Sequence, residues 1–355
     1  MIIYYTFAII VMSLLLLSNW LYKNRKAINI VDLIILFIVI AFSGSRYYTG
    51  TDYGNYYRIF NTNYIVINEI NIFSLISPDE IGLYVINNIM KKLLPNSEYV
   101  MFWVTSALIY VPLYVFLKKK SGKFWISFLS FILLGHYTMS FNIIKQYIAA
   151  TFVFIAFVEF YENKKKSTIV YILLAIIFHF SSIIYIPLLY VAKKIKPNFF
   201  TFSFFVFSGF LIEYIANYIL INVNLLSVYN IFINSKGSKI GMILISSIWV
   251  LFGCLLLMKK KSLIQLSSNN YLYLNMFHLS LTFSIGAISN MYFARVTIPL
   301  QYSLFFLLPD YIECIKTRYK KILYLLLMIF LFIWFGFYIS NYGGVIPYDT
   351  YLKYE

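Results

Sequence analysis

The segment Ile28–Phe42, INIVDLIILFIVIAF, runs directly into Ser43–Tyr53, SGSRYYTGTDY. The first part reads as a membrane span and the second as the polar edge that follows it. Arg46 and Asp52 stand six residues apart at that edge. A chain with few charges has little reason to place two there for packing alone. An arginine beside a membrane can hold a lipid phosphate, and a carboxylate near it can take a proton from a sugar hydroxyl.

Outward from this stretch, apolar runs recur along all 355 residues, 61% of which are hydrophobic and 12% charged. A soluble domain carries about 25% charged residues, so the chain reads as an all-α polytopic membrane protein. No polar stretch is long enough for a separate soluble domain, and a single transmembrane domain over 1–355 is expected. The first run lacks a small-residue cleavage site after it and reads as a retained span. The net charge of +16 suggests nucleic acid only until its placement is examined. Twenty of the 29 Lys and Arg residues fall in six short clusters between apolar runs. These are Lys23/Arg25/Lys26, Lys118–Lys120 with Lys123, Lys164–Lys166, Lys193/Lys194/Lys196, Lys259–Lys261 and Lys316/Arg318/Lys320/Lys321. Such clusters mark cytoplasmic loops, so no nucleic-acid partner is expected. Cys254 and Cys314 give no disulfide framework, and the histidines show no metal-ligand spacing. No metal and no cofactor are expected.

With all six clusters cytoplasmic, the N-terminus and the tail after Ile339 lie on the outer face. About ten spans follow, near Ile3–Leu21, Ile28–Phe42, Tyr99–Leu117, Phe124–Ser140, Ile143–Tyr161, Phe199–Leu220, Ile240–Met258, Tyr271–Asn290, Val296–Ile315 and Ile322–Ser340. One apolar run, Ile169–Val191, lies between two Lys clusters, and a simple span would put one cluster outside. Its middle carries Phe178-His179-Phe180-Ser181-Ser182, where Ser181 or Ser182 can cap a second half-helix. A re-entrant hairpin with His179 at its tip satisfies the charge rule, and a simple span violates it.

Two outer loops remain, 43–98 and 221–239. In the first, Ser77-Pro78-Asp79-Glu80 is a capping box with proline at the first helical position. The helix it opens carries Ile81, Val85, Ile89 and Leu93 at helical spacing, with Lys91 and Lys92 near its end. An amphipathic helix on the outer membrane surface is expected, with a second, less regular one upstream between Tyr56 and Leu75.

The outward charges are few enough to weigh singly. Arg46 suits a diphosphate, or snorkels to the interface. Asp52 is a general base, a brace for Arg46, or the N-cap of a helix starting at Tyr53. Glu80 is a carboxylate of the site or simply the box residue. Lys145, with Gln146 beside it, is a second phosphate ligand or another snorkelling cation. His179 is a proton carrier, a donor to substrate, or a histidine satisfied by a backbone carbonyl. Arg295 is read like Arg46. His136 and His278 lack polar neighbours and read as packing. Glu159, Glu162, Asp310 and Glu313 stand where they can pair with the Lys clusters. Many of the 34 tyrosines suit interfacial belts, while Tyr47, Tyr48, Tyr53, Tyr56 and Tyr57 gather in the outer loop where rings can stack on sugars.

These residues carry a resemblance. Arg46-x5-Asp52-Tyr53-x2-Tyr56 resembles the R-x-x-x-G-x-D-Y-x-x-Y signature of the EpsG family of polysaccharide-polymerising membrane proteins. Asp79-Glu80-Ile81-Gly82 resembles its E-x-G element. Asn142-Ile143-Ile144-Lys145-Gln146-Tyr147-Ile148-Ala149 resembles N-x-x-R-Q-x-I-A, with Lys145 in place of the arginine and its two-pronged fork lost. Phe178-His179-Phe180-Ser181-Ser182 resembles F-H-x-S, and Arg295 falls where a late arginine is expected. The likeness runs in order from the second span to about Pro309.

The resemblance implies a GT-C-like fold and kinship with Wzy-type polymerases of O-antigen and capsule. It implies transfer of a glycan from undecaprenyl diphosphate to the nonreducing end of another lipid-linked repeat unit, on the periplasmic face of the inner membrane. Arg46, Lys145 and Arg295 would then hold the diphosphate, Asp52, His179 and Glu80 would serve catalysis, and Tyr53 and Gln146 would contact substrate. Partners would be the undecaprenyl-diphosphate-linked oligosaccharide, membrane lipid and a chain-length regulator. A flippase for the same glycans would need cations lining a path across the bilayer, and a membrane O-acyltransferase would centre on His179 and leave the three cations without a task.

Overall fold

A computed structural model describes residues 1–21, 25–62, 81–94, 97, 99–222 and 239–353. Their regular structure is helical: α1 (Ile2–Trp20), α2 (Arg25–Gly44), α3 (Tyr53–Thr62), α4 (Ile81–Leu93), α5 (Val100–Lys120), α6 (Phe124–Leu133), α7 (His136–Met139), α8 (Ile144–Tyr161), α9 (Lys165–Phe178), α10 (Tyr185–Lys194), α11 (Phe199–Asn222), α12 (Lys239–Met258), α13 (Lys260–Leu266), α14 (Asn270–Gly286), α15 (Tyr292–Gln301), α16 (Leu304–Glu313) and α17 (Thr317–Asn341). Among the described residues, five helices are long and apolar enough to cross a membrane: α1, α5, α8, α12 and α17. Backbone groups in lipid must bond within their own segment, which is why apolar runs translate so directly into helices.

Two of the ten expected spans are not continuous. Phe124–Ser140 divides into α6 and α7 at Gly135, whose left-handed backbone ends the first helix and whose α-carbon lies against the Tyr338 ring. Val296–Ile315 falls within α15 and α16, which contain Pro299 and Pro309. Each proline withdraws a backbone donor, and at the break the Ser303 hydroxyl donates to the Leu300 carbonyl at 2.7 Å.

The described residues form two compact units, the first made of 1–156, 166–184 and 321–355, the second of 157–165 and 185–320. In the first, Phe7 stacks between Phe42 (4.3 Å) and Tyr137 (4.9 Å). At one end Asp32 accepts from Ser18, Tyr114 and Lys118, tying the end of α1 and the start of α2 to the last turn of α5. Met1, the loop after α2 and the chain after α17 lie at the opposite end, where the Tyr4 hydroxyl donates to the Val345 carbonyl at 2.7 Å. The start of α2, which carries Arg25 and Lys26, and Lys118 therefore share an end, as the charge pattern requires.

The run 169–191, of which 169–184 belong to the first unit and 185–191 to the second, turns back. Lys193, near the end of α10, donates to the Phe160 carbonyl and the Asn163 side chain, both at 2.7 Å. The segment thus finishes at the turn where it started. The fourteen residues of α9 reach about 21 Å, short of the roughly 30 Å of a bilayer core. Lys164 pairs with Glu159 and Glu162, and Lys320 with Glu313. Asp310 departs from the expected pairing and accepts from the Asn270 amide at 2.8 Å.

The helix expected after the capping box is α4, while Ser77–Glu80 lie outside the described residues. Its apolar stripe is turned outward: Ile81, Val85, Ile89 and Leu93 are exposed, and Gly82, Leu83 and Asn87 are buried. An exposed aliphatic stripe at this place is what a helix laid against lipid presents.

Candidate functional site

Three segments distant in sequence meet around the Arg46–Asp52 loop. The loop leaves α2 at Ser45 and pairs with the chain after α17. Tyr47 N–H donates to the Asp349 carbonyl (2.9 Å), Tyr351 N–H to the Ser45 carbonyl (3.2 Å), and Gly50 N–H to the Gly344 carbonyl (3.1 Å). Arg46 and Thr350 form an antiparallel bridge. The Tyr348 hydroxyl donates to the Phe42 carbonyl at 2.8 Å. Tyr351 stacks flat on Tyr99 at 4.0 Å and accepts from the Trp103 indole at 3.0 Å. The tail therefore straps the loop down.

Asn142, just before α8, is the third member and is 3% exposed. Its Oδ1 accepts from Asp52 N–H (3.4 Å) and the Thr51 hydroxyl (3.3 Å), and its Nδ2 donates to the Gly343 carbonyl (2.9 Å). One side chain thus joins loop, helix and tail. Gly50 makes this approach possible. Its φ is +99°, and a Cβ there would stand 2.5 Å from Asn142 Oδ1.

Arg46 is 1% exposed. Its guanidinium lies between the rings of Phe102 and Phe141, 4.7 and 4.9 Å from their centroids. It donates to the Ser43 carbonyl and hydroxyl and to the Phe141 carbonyl. Ser43 in turn accepts from Ser106 and Tyr110, so the cation stands on a chain of neutral groups. Among the described residues no carboxylate pairs with Arg46, and its Nε has no partner. Burial pulls its pKa below the ordinary arginine value, as expected for a cation held out of water. The expectation that Asp52 braces Arg46 is corrected. Arg46 turns inward beneath the loop, while Asp52 stays half-buried at the start of α3, where its carbonyl accepts the Tyr56 N–H. Among the described residues the Asp52 carboxylate accepts only the Thr51 hydroxyl, at 3.3 Å.

Lys145 and Gln146 lie in the first turn of α8, three and four residues beyond Asn142. Lys145 is half-buried and Gln146 buried. Seven residues after Lys145 on the same stripe, Phe152 stacks on Phe178 (6.3 Å) and Tyr171 (6.2 Å) of α9. Lys145 therefore stands on the side of α8 that faces the end of α9. His179 follows α9, half-buried, with its N–H on the Ala175 carbonyl and its own carbonyl accepting Ser182 N–H, both at 2.9 Å. The Ser182 hydroxyl donates to the Ala175 carbonyl at 3.4 Å, so it closes the end of α9 and does not cap α10. Gly82 of α4 packs against this tip, and a Cβ there would stand 2.7 Å from the Phe178 ring. Two motifs far apart in sequence touch at that point.

Arg46, Asp52, Tyr53, Lys145 and Gln146 are thus gathered around the start of α8. Tyr53 is fully buried with its ring on Phe102 at 4.4 Å, so it faces protein. Glu80 lies outside the described residues. Arg295 belongs to the second unit, half-buried, with its guanidinium over the Tyr292 ring at 4.8 Å. Among the described residues no three His, Cys, Asp or Glu side chains come together as metal ligands would. His136, expected to pack without polar neighbours, has Nδ1 3.2 Å from the Tyr147 hydroxyl, because the break at Gly135 turns it toward α8. His278 is buried, with no partner on either ring nitrogen among the described residues.

The fold and the strapped loop define a multi-helix membrane protein with a buried cation and a carboxylate near one end. The chain belongs to the EpsG family, whose model matches residues 29–355. Members of this family are polymerase-like membrane proteins of polysaccharide synthesis, of the Wzy type. Searches of curated proteins and of solved structures give no match.

Proposed function

We propose that this protein polymerises lipid-linked oligosaccharides, moving a glycan from undecaprenyl diphosphate to the nonreducing end of a second lipid-linked unit on the periplasmic face of the inner membrane. The acceptor hydroxyl oxygen attacks the anomeric carbon of the donor. The bond from that carbon to the diphosphate breaks, and the diphosphate leaves with the electron pair. Asp52 takes the acceptor proton.

The observation that carries this reading is Arg46: fully buried, with Nε unbonded and no carboxylate partner among the described residues. A buried cation held only by neutral acceptors and ring faces is costly to keep out of water, so packing alone does not account for it. In a low-dielectric surrounding its field is strong, and it favours an anion forming nearby. Lys145, half-buried in the first turn of α8, supplies a cation that a diphosphate can touch, and the positive end of the helix dipole adds to it. Arg295 keeps the diphosphate-binding role that the late-arginine resemblance implies for it, and Gln146 is a donor or acceptor for the glycan. His179, at the tip that Gly82 and Phe152 frame, assists proton transfer.

The test is the length distribution of surface polysaccharide in cells lacking the protein, complemented with wild type or Asp52→Asn. Collapse to a single repeat, rescued by wild type alone, is expected. An intact ladder in the deletion strain would overturn the polymerase reading, and equal rescue by both forms would remove Asp52 from the chemistry.

A further inference from the structure

Tyr48 is the one residue of the loop whose placement neither burial nor backbone comfort explains. The residue is 60% exposed. Its φ is +42°, a left-handed conformation that a bulky side chain rarely adopts and that glycine or asparagine takes more easily. The residues on both sides are pinned to the tail. Tyr47 N–H donates to the Asp349 carbonyl, and the buried Thr49 hydroxyl accepts Asp349 N–H at 3.1 Å. The ring is propped by Tyr47 (4.8 Å, edge-on), Tyr53 (5.1 Å) and Tyr57 (6.4 Å). The strap thus presents an aromatic face in a fixed position, four residues from Asp52. A tyrosine of a lipid belt anchors a helix end and needs no such backbone.

We propose that Tyr48, with Tyr57 beside it, is a stacking platform for a pyranose ring of the acceptor glycan. The ring face covers the apolar C–H face of the sugar, and the sugar hydroxyl to be glycosylated is turned toward Asp52. Tyr48 lies outside the residues that the family signature names, so it is a place where this chain selects its own sugar. The choice of a sugar as ligand rests on the glycan-transfer reading above.

The experiment uses the full chain in lipid nanodiscs. The probe is the repeat-unit oligosaccharide from cells lacking the protein, released from its lipid carrier by mild acid. Binding is read by saturation-transfer NMR, and melting temperature is followed in parallel. Tyr48→Phe binds as wild type does. Tyr48→Gly removes the ring and relaxes the backbone, so it melts at or above the wild-type temperature yet binds at least tenfold more weakly. Tyr48→Asn, which also suits the left-handed region, repeats the test should the glycine variant fail to fold. Equal binding by the glycine and asparagine variants, or no binding by wild type, overturns the platform. Oligosaccharide binding that depends on Tyr48 in a protein unable to extend lipid-linked units supports the platform while overturning the polymerase reading.

Discussion

Asn142→Ala is the sharpest perturbation of this architecture. It removes two acceptor contacts at 3.3 and 3.4 Å and one donor contact at 2.9 Å. A net hydrogen bond contributes about 0.5–1.5 kcal/mol, and a buried group left without a partner costs about 1–3 kcal/mol. The two longer contacts count at the low end, and the Gly343 carbonyl at the higher one. The sum is about 3 kcal/mol against the closed strap, or roughly a hundredfold in its opening equilibrium. Hydrogen exchange in nanodiscs reads this directly at four amides that bridge loop and tail: Tyr47, Gly50, Thr51 and Tyr351. Their exchange should accelerate about a hundredfold while amides in the middle of α5 and α8 keep their rates. Unchanged exchange at the four amides would refute the reasoning. Equal acceleration everywhere would show that Asn142 holds the whole unit and not the strap.

Two further substitutions separate stability from function. Arg46→Met replaces a buried cation that has no carboxylate partner among the described residues with an apolar chain of similar length, so stability should change by less than about 1–2 kcal/mol or rise, while chain extension is lost; a variant that keeps its ladder removes Arg46 from the chemistry. Gly50→Ala forces a Cβ to within 2.5 Å of Asn142 Oδ1 at a φ of +99° and should destabilise the loop by about 1–2 kcal/mol or more. A melting temperature and exchange pattern like wild type would show that the loop relaxes around it.

Much of the fold could be read before any coordinates because lipid enforces local rules. The apolar runs behind α1, α5, α8, α12 and α17 had to close their own backbone bonds, and they appear as helices close to where the hydropathy put them. The return of Lys193 to Asn163 follows from charge placement, since lysines beside short loops avoid crossing. The breaks within Phe124–Ser140 and Val296–Ile315 were less legible. A glycine or two prolines in an apolar run are compatible with a kinked span, and what decides is whether a neighbour such as Tyr338 fills the gap. The apolar stripe of α4 was legible from its spacing and is exposed as a surface-lying helix requires, whereas its packing through Gly82 against the Phe178 ring was not, because a period tells which residues share a face and not which neighbour the other face meets.

The sequence by itself determined that this is a helical membrane chain and that a loop bearing Arg46 and Asp52 resembles the EpsG signature. The tertiary structure decided what those residues do to one another. Arg46 is drawn inward between two rings, Asp52 is held by the amide of Asn142, and the chain from Gly343 to Tyr351 closes over both. The physical reason is the range of the interactions. Burial in lipid acts on every residue of a run and leaves a period in the sequence. A strap made of single hydrogen bonds between segments about 300 residues apart leaves no period at all, and only the folded chain brings its two sides together.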